Sequence, residues 1–195
     1  MELSQRELTI PLKCVVSNTG PMLSVFQSKQ VNFLKALYDR IYIPTSELLE
    51  YAKHGAAQAI QELIDSGFVV VSELNEAEKE TAKRISREIA NHPLAKDKVP
   101  QNHYPEAEAM VLMSRTGLQA SQILLDELAA REVAKTHGLS VIGFAGLLIR
   151  ACHSRQITPG EVREIMLTCV SRGTHYAANF IEGIYQRLKE ELHEQ

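Results

Sequence analysis

Two kinds of apolar pattern alternate along the chain. Short runs rich in β-branched residues are typical of strands buried in a parallel sheet, and segments with an apolar residue every three or four positions are typical of helices. Five runs predict strands: Lys13–Val16, Ile41–Ile43, Phe68–Val71, Ile123–Leu125 and Leu139–Ile142. Because helical segments separate these runs, we predict an α/β fold, a three-layer α/β/α sandwich with a mainly parallel sheet of about five strands.

Polar residues mark where the predicted elements begin and end. Asn75 with Glu78 predicts a capping box, and Asp126 is expected to cap a helix over Glu127–His137. The polar segment Asn91–His103 holds two prolines and predicts a mobile loop. We predict a single domain over residues 1–195, with a core of about 13–155, a helical insertion at about 75–103 and C-terminal helices at 156–192.

Composition narrows the classes of function. The net charge of −3 gives no global basic footprint, so any nucleic-acid contact would come from a local patch. The three cysteines are widely spaced, which favours buried apolar residues in a reducing cytosol: Cys14, Cys152 and Cys169. No apolar run approaches the roughly 18 residues of a membrane span, and the N-terminus lacks the order of a signal peptide. We therefore expect a cytoplasmic location and no membrane partner.

Acid and amide side chains cluster at the predicted strand ends. Asn18 follows the first strand, Glu50 lies in the helix after the second, and Asp126 and Glu127 follow the fourth. Glu106 opens a helix that leads into the fourth strand. The carboxyl ends of parallel strands share one rim, where clustered oxygens suit Mg²⁺ or Mn²⁺. The alternative stays open at this point, because capping and the helix dipole also favour acids in a first helical turn.

The order of four motifs resembles the PIN-domain superfamily, which includes the toxin ribonucleases of bacterial toxin–antitoxin pairs. The motifs are Val15–Leu23 (VVSNTGPML), Ile43–Glu50 (IPTSELLE), Pro105–Ala109 (PEAEA), and Leu125–Ala134 (LDELAAREVA) followed by Gly138–Gly146 (GLSVIGFAG). The resemblance implies a Rossmann-like PIN fold and a metal-dependent endoribonuclease that hydrolyses single-stranded RNA with one or two Mg²⁺ or Mn²⁺ ions. It also implies three partners: the RNA substrate, a small antitoxin protein and a second copy of the chain in a homodimer.

The resemblance also assigns roles to individual residues. The metal-binding positions are matched by Asn18, Glu50, Glu106, Asp126 and Glu127. All of these except Glu50 would also be catalytic. Thr19 would orient a ligand or water, and Arg131 would pair with a nearby carboxylate.

Asn18 is the main departure from the family pattern, since most active members carry Asp at that position. An amide oxygen can coordinate a hard cation but brings no negative charge, so we expect weaker metal affinity. Glu127 also replaces the second Asp of the usual pair, and Phe144 replaces a Thr. Two functions remain open: a ribonuclease weakened by Asn18, and a catalytically degenerate module that binds nucleic acid or protein.

The remaining polar residues predict surface positions. Glu108 lies two residues from Glu106, about 200° around a helix, and is expected at the surface. The lone histidines His54 and His103 are expected to face solvent. Four cations interleaved with acids predict a solvated helix face: Lys79, Lys83, Arg84 and Arg87. Two loop lysines are candidates for phosphate contact: Lys96 and Lys98.

Overall fold

The computed structural model describes residues 12–193, in which five strands form one parallel sheet of order β3-β2-β1-β4-β5. The strands are β1 Cys14–Ser17, β2 Arg40–Pro44, β3 Val69–Ser72, β4 Ala120–Leu124 and β5 Val141–Ile142. Every neighbouring pair is parallel. The predicted α/β fold and strand number are confirmed, with shifts of up to three residues at the strand ends.

Ten α-helices within residues 12–193 cover the sheet. They are α1 Thr19–Ser28, α2 Val31–Leu37, α3 Glu47–Lys53, α4 Ala57–Asp65, α5 Glu76–Asn91, α6 Tyr104–Met113, α7 Leu128–Thr136, α8 Phe144–His153, α9 Pro159–Ser171 and α10 Ala178–His193. Two 3-10 helices precede α6 and β4: Pro100–His103 and Thr116–Leu118. None of the helices described is long and apolar enough to cross a membrane.

The central strand β1 explains why there are three layers. Successive side chains of a strand point to opposite faces, so Val15 and Val16 enter different cores. Val15 packs in a core with residues of α1–α4 and α8–α10. Val16 packs in the other core, with residues of α5, α6 and α7. Because both faces are covered, a continuous apolar run is what this strand requires.

Helix starts and the predicted loop are held by local hydrogen bonds. The capping box is confirmed: Asn75 N donates to Glu78 Oε2 at 2.8 Å, and Glu78 N donates to Asn75 Oδ1 at 3.0 Å. In the loop, Asp97 accepts from Val99 N at 2.8 Å, and its backbone oxygen lies 2.9 Å from the His103 ring. His103 is buried, so the expectation that it faces solvent is wrong. The mobility of this loop stays a prediction.

The three cysteines are free and buried, as predicted, within the described part of the chain. The domain division stays a prediction.

Candidate active site

A cavity of about 480 Å³ opens where β1, β2 and β4 end. It is lined by residues that follow these strands, by α1 and α3, and by the 3-10 helix before α6 with the start of α6: Asn18, Thr19, Gly20, Leu23, Glu50, Lys53, His54, Gln101, Asn102, Pro105, Glu106, Asp126 and Glu127. Six of the seven residues singled out from the sequence are among them. Arg131 contacts this group from outside the lining. His54 is exposed, as expected.

Asn18 lines the cavity and is almost fully buried, with 4% of its surface exposed. Its backbone N–H donates to Leu124 O at 3.2 Å, which fixes it between β1 and β4. The side chain precedes α1 but makes no capping hydrogen bond within residues 12–193, although Asn commonly caps helices. Instead Nδ2 donates to Glu106 Oε1 at 3.2 Å, and Oδ1 has no partner among these residues.

Glu106 reaches the same point from the first turn of α6. Its Oε2 is buried and has no hydrogen-bond partner in the described chain. Burial raises the pKa of Glu106, and the Glu127 carboxylate adds to the shift while Asn18 and His103 oppose it. A buried polar atom without a partner is rare in proteins and calls for a water, an ion or a ligand.

Asp126 follows β4 and spans to the start of α8. Its Oδ1 accepts from Phe144 N at 2.8 Å, so the prediction that it caps the next helix is wrong. The cap of α7 is Glu127, whose Oε2 accepts from Ala130 N at 2.5 Å. Burial raises the pKa of Asp126, against the lowering by the Phe144 N–H and the Arg131 charge. The backbone N–H of Phe144 therefore holds the Asp126 carboxylate in its orientation.

Arg131 and Gly143 close the site behind Asp126. Arg131 Nη1 donates to Leu125 O at 3.2 Å. No ion pair joins it to a carboxylate of residues 12–193, although its charge acts on Asp126. A Cβ atom at Gly143 would lie 2.3 Å from Arg131 Nη1 and 2.6 Å from Asp126 Oδ1, so any larger residue would force these side chains to move.

Glu50 lines the cavity but is engaged by a neighbour. Its Oε1 lies 2.5 Å from Lys53 Nζ, the next cation along α3. Glu50 therefore stands at the rim with its charge partly offset, whereas Glu106 and Asp126 do not form such a pair within the residues described.

Sequence reasoning missed Glu47, the first residue of α3. This side chain is fully buried, its carboxylate accepts a hydrogen bond from Thr19 Oγ1, and its Oε1 has no partner within residues 12–193. Burial, followed by the charges of Glu106, Glu108 and Glu50, raises the pKa of Glu47 well above its usual range. The available signal was an acid one helical turn before Glu50, on the face of α3 that also carries buried Tyr51.

The prediction for Glu108 is wrong. It was expected at the surface, yet only 7% of it is exposed and its carboxylate accepts a hydrogen bond from Ser46 Oγ. The reason is that α6 packs against the sheet on one side and against α5 on another, so two of its sides are covered. In a helix that is covered on two sides, buried positions are not confined to one apolar face, so spacing from Glu106 does not predict the exposure of Glu108.

The side-chain oxygens of the cavity are the type of ligand that a hard divalent cation prefers, but they carry less negative charge than an all-carboxylate site because one of them is an amide. No group of three or more His, Cys, Asp or Glu side chains in residues 12–193 is placed to hold a metal ion. Of the four carboxylates that line the cavity, Glu50 pairs with Lys53 and Glu127 caps α7. The remaining oxygen donors are Glu106, Asp126 and the Asn18 amide, and two of their oxygens are buried without a partner among residues 12–193. Oxygen-only donors suit Mg²⁺ or Mn²⁺.

A comparison with protein families found one match that spans nearly the whole of the described chain. The model of family DUF3368, described as a PIN domain, matches residues 14–190. The comparison with curated proteins found no match.

Proposed function

The chain belongs to the DUF3368 family of PIN domains, a nuclease-type fold that generally uses divalent metal ions, and we propose that it is a metal-dependent endoribonuclease acting on single-stranded RNA. The observation that carries this proposal is the convergence of Asn18, Glu106 and Asp126 on one open cavity. On two of these three residues a buried oxygen has no hydrogen-bond partner within residues 12–193, which supports the proposal. Phosphodiester hydrolysis is the reaction that uses such a site.

The chain's own residues would make four contributions to the chemistry. Asn18, Glu106 and Asp126 would hold the ion, which lowers the pKa of a bound water and stabilises charge on the phosphoryl group. Asp126 keeps its orientation through the Phe144 N–H. Glu106 Oε1 already accepts from Asn18 Nδ2, so Oε2, which has no partner within residues 12–193, would be the oxygen that Glu106 offers to the ion. Glu127 and Glu50 add negative potential at the rim.

A second cavity supports RNA as the substrate. It has a volume of about 360 Å³ and shares Gln101 with the first cavity. Its lining is Lys83, Ser86, Arg87, Pro100, Gln101 and Tyr104. Cations beside the site can bind backbone phosphates, and an aromatic ring such as that of Tyr104 can stack on a base. We propose that a single strand runs from one cavity to the other.

The decisive residue for an activity test is Asp126. We expect cleavage of single-stranded RNA that requires Mn²⁺ or Mg²⁺ and disappears in Asp126→Asn. Glu132→Gln is the matched control, because Glu132 pairs with Lys135 on the surface of α7 and does not line the cavity. Cleavage that survives Asp126→Asn would come from another protein and would overturn the proposal.

One contact favours a second candidate function, the catalytically degenerate module. The Asn18 amide donates to Glu106 and so satisfies one carboxylate oxygen without any ion. Calorimetry with Mn²⁺ separates the candidates. Tight binding by the wild type supports the nuclease, whereas binding only after Asn18→Asp supports the degenerate module.

Protein partners are a further part of the proposal. Leu49 and Leu128 are exposed by 70% and 61%, and each is the sequence neighbour of a cavity residue, Glu50 and Glu127. Such apolar side chains suit a small antitoxin protein that covers the site, or a second copy of the chain. Sedimentation of the purified protein decides between them: a dimer that Leu49→Glu dissociates supports the second copy, and a monomer excludes it.

A further inference from the structure

We infer that Glu47 is a positioning residue that supplies, from behind Asn18, the negative charge that the Asn18 amide does not bring to the site. This role rests on the metal-dependent function proposed above.

One hydroxyl connects Glu47 to the cavity. Glu47 begins α3, directly after β2, and is fully buried. Its carboxylate accepts from Thr19 Oγ1, and Thr19 lines the cavity as the residue next to Asn18. The contact therefore fixes the turn that carries Asn18 and places a carboxylate behind the cavity wall.

The surroundings of Glu47 are acidic rather than basic. Apart from burial, the causes that raise its pKa are the carboxylates of Glu106, Glu108 and Glu50, in that order. No Lys, Arg or His in residues 12–193 forms an ion pair with Glu47. A buried carboxylate without a cation is costly, and an apolar residue of similar volume would be neutral or stabilising there. Burial and these carboxylates favour the neutral form of Glu47 as long as no cation is near. A cation bound in the cavity would provide the missing partner and favour the charged carboxylate.

The unpartnered oxygens point the same way. Within the residues described, Glu47 Oε1 lacks a hydrogen-bond partner, as do Asn18 Oδ1 and Glu106 Oε2. All three belong to side chains joined by two hydrogen bonds and one peptide link: Thr19 to Glu47, Asn18 to Glu106, and Asn18 to Thr19. One positive charge at the cavity would interact favourably with all three oxygens.

A purely structural role makes a different prediction. To hold Thr19 in place, Glu47 needs only an oxygen that accepts a hydrogen bond, and the amide oxygen of Gln provides one. Glu47→Gln therefore removes the charge and keeps the contact. If the charge matters, metal affinity falls while the fold persists.

The experiment is a calorimetric titration with Mn²⁺ of the full chain in four forms: wild type, Glu47→Gln, Asn18→Asp and the double variant. We expect Glu47→Gln to weaken Mn²⁺ binding about 10- to 100-fold, as loss of an outer partner does at other metal sites. In the Asn18→Asp background, where a carboxylate already faces the ion, the loss should be smaller than about tenfold. Glu108→Gln is the matched control, because Glu108 is also buried and bonded to a serine but makes no contact with Thr19.

Thermal melting without metal shows whether each variant folds. If Glu47→Gln does not fold, Glu47→Leu is a second test, because it removes both the charge and the hydrogen-bond acceptor. Glu47→Leu should weaken Mn²⁺ binding at least as much as the loss expected for Glu47→Gln. Wild-type affinity in Glu47→Gln, or an equal loss in both backgrounds, would overturn the role of Glu47 and leave the nuclease proposal intact. An absence of Mn²⁺ binding in both wild type and Asn18→Asp would overturn both proposals.

Discussion

At the scale of single residues, the tightest constraint in the site is at Gly143. We expect Gly143→Ala to displace Arg131 or Asp126, because the added Cβ would lie within 2.3 Å and 2.6 Å of their polar atoms. The cost should be about 1–3 kcal/mol in the free energy of unfolding, measured with urea, together with loss of cleavage.

Gly183→Ala is the control for this substitution. It lies within α10, where an added Cβ meets nothing within 4 Å, and it should be neutral or stabilising by up to about 1 kcal/mol. Equal effects of the two substitutions would show that crowding at Asp126 is not the cause.

Asn18 affects stability as well as metal binding. In Asn18→Asp the donor to Glu106 is lost and a second carboxylate faces it. We expect the free energy of unfolding in EDTA to fall by about 1–3 kcal/mol. Added Mn²⁺ should reverse the loss, because it binds the folded state more tightly in the variant than in the wild type. Melting curves with and without Mn²⁺ measure both effects, and a variant insensitive to Mn²⁺ would contradict the placement of residue 18 at the ion.

At the scale of elements, the basic residues of α5 differ in whether they form ion pairs. Lys79 and Lys83 pair with Glu76 and Glu80, as expected for a solvated face. Lys83 and Arg87 both line the second cavity, and of these two Arg87 forms no ion pair within residues 12–193. We expect Arg87→Ala to weaken the binding of labelled single-stranded RNA. The slope of log K against log[salt] should fall by about one, the amount expected for the loss of one phosphate contact.

Arg84→Ala tests whether this effect is specific to the cavity. Arg84 is an exposed residue of the same helix but is not part of the lining. Fluorescence anisotropy on catalytically inactive Asp126→Asn protein avoids cleavage during the measurement. If both substitutions weaken binding equally, the strand does not follow the second cavity.

An ion pair between α5 and the segment that follows α6 should make the free energy of unfolding depend on pH. Arg115 donates to both carboxylate oxygens of Glu78, at 2.7 Å and 2.6 Å, and this contact lowers the pKa of Glu78 from 4.5. Because the folded-state pKa is depressed, the stabilisation is present above about pH 4.5 and is lost as the pH falls through the depressed pKa.

Arg115→Lys removes the two-pronged contact. We expect a loss of about 0.5–1 kcal/mol in the free energy of unfolding at neutral pH, and a difference from wild type that shrinks in acid. Arg187→Lys, at an exposed pair with Glu191, should change little. A difference that persists below the depressed pKa would show that Arg115 acts through packing alone.

At the scale of the whole molecule, the pattern of apolar residues along the chain predicts a strand correctly where both of its faces are buried. The run at Val15 and Val16 predicts a strand covered on both faces, and the two cores on either side of β1 are the result. The motif order also predicts which polar residues meet at the rim, because parallel strands place their carboxyl ends together.

Long-range packing is what the sequence did not reveal. Glu108 was predicted at the surface from its spacing to Glu106, and Glu47 was not singled out. Both carboxylates accept hydrogen bonds from hydroxyls in distant parts of the chain, Ser46 and Thr19. Asp126 has the position of a helix cap, but the partner it finds is the Phe144 N–H, 18 residues away. Propensity and spacing report neighbours along one element, and these contacts lie between elements.

The central claim is that Asn18, Glu106 and Asp126 together hold a divalent cation at the end of the parallel sheet. A crystal of the protein soaked in Mn²⁺ tests it directly through anomalous scattering. We expect a peak at coordination distance from Asn18 Oδ1 and from a carboxylate oxygen of both Glu106 and Asp126. A well-ordered cavity without a peak, or an ion bound elsewhere, would contradict the claim.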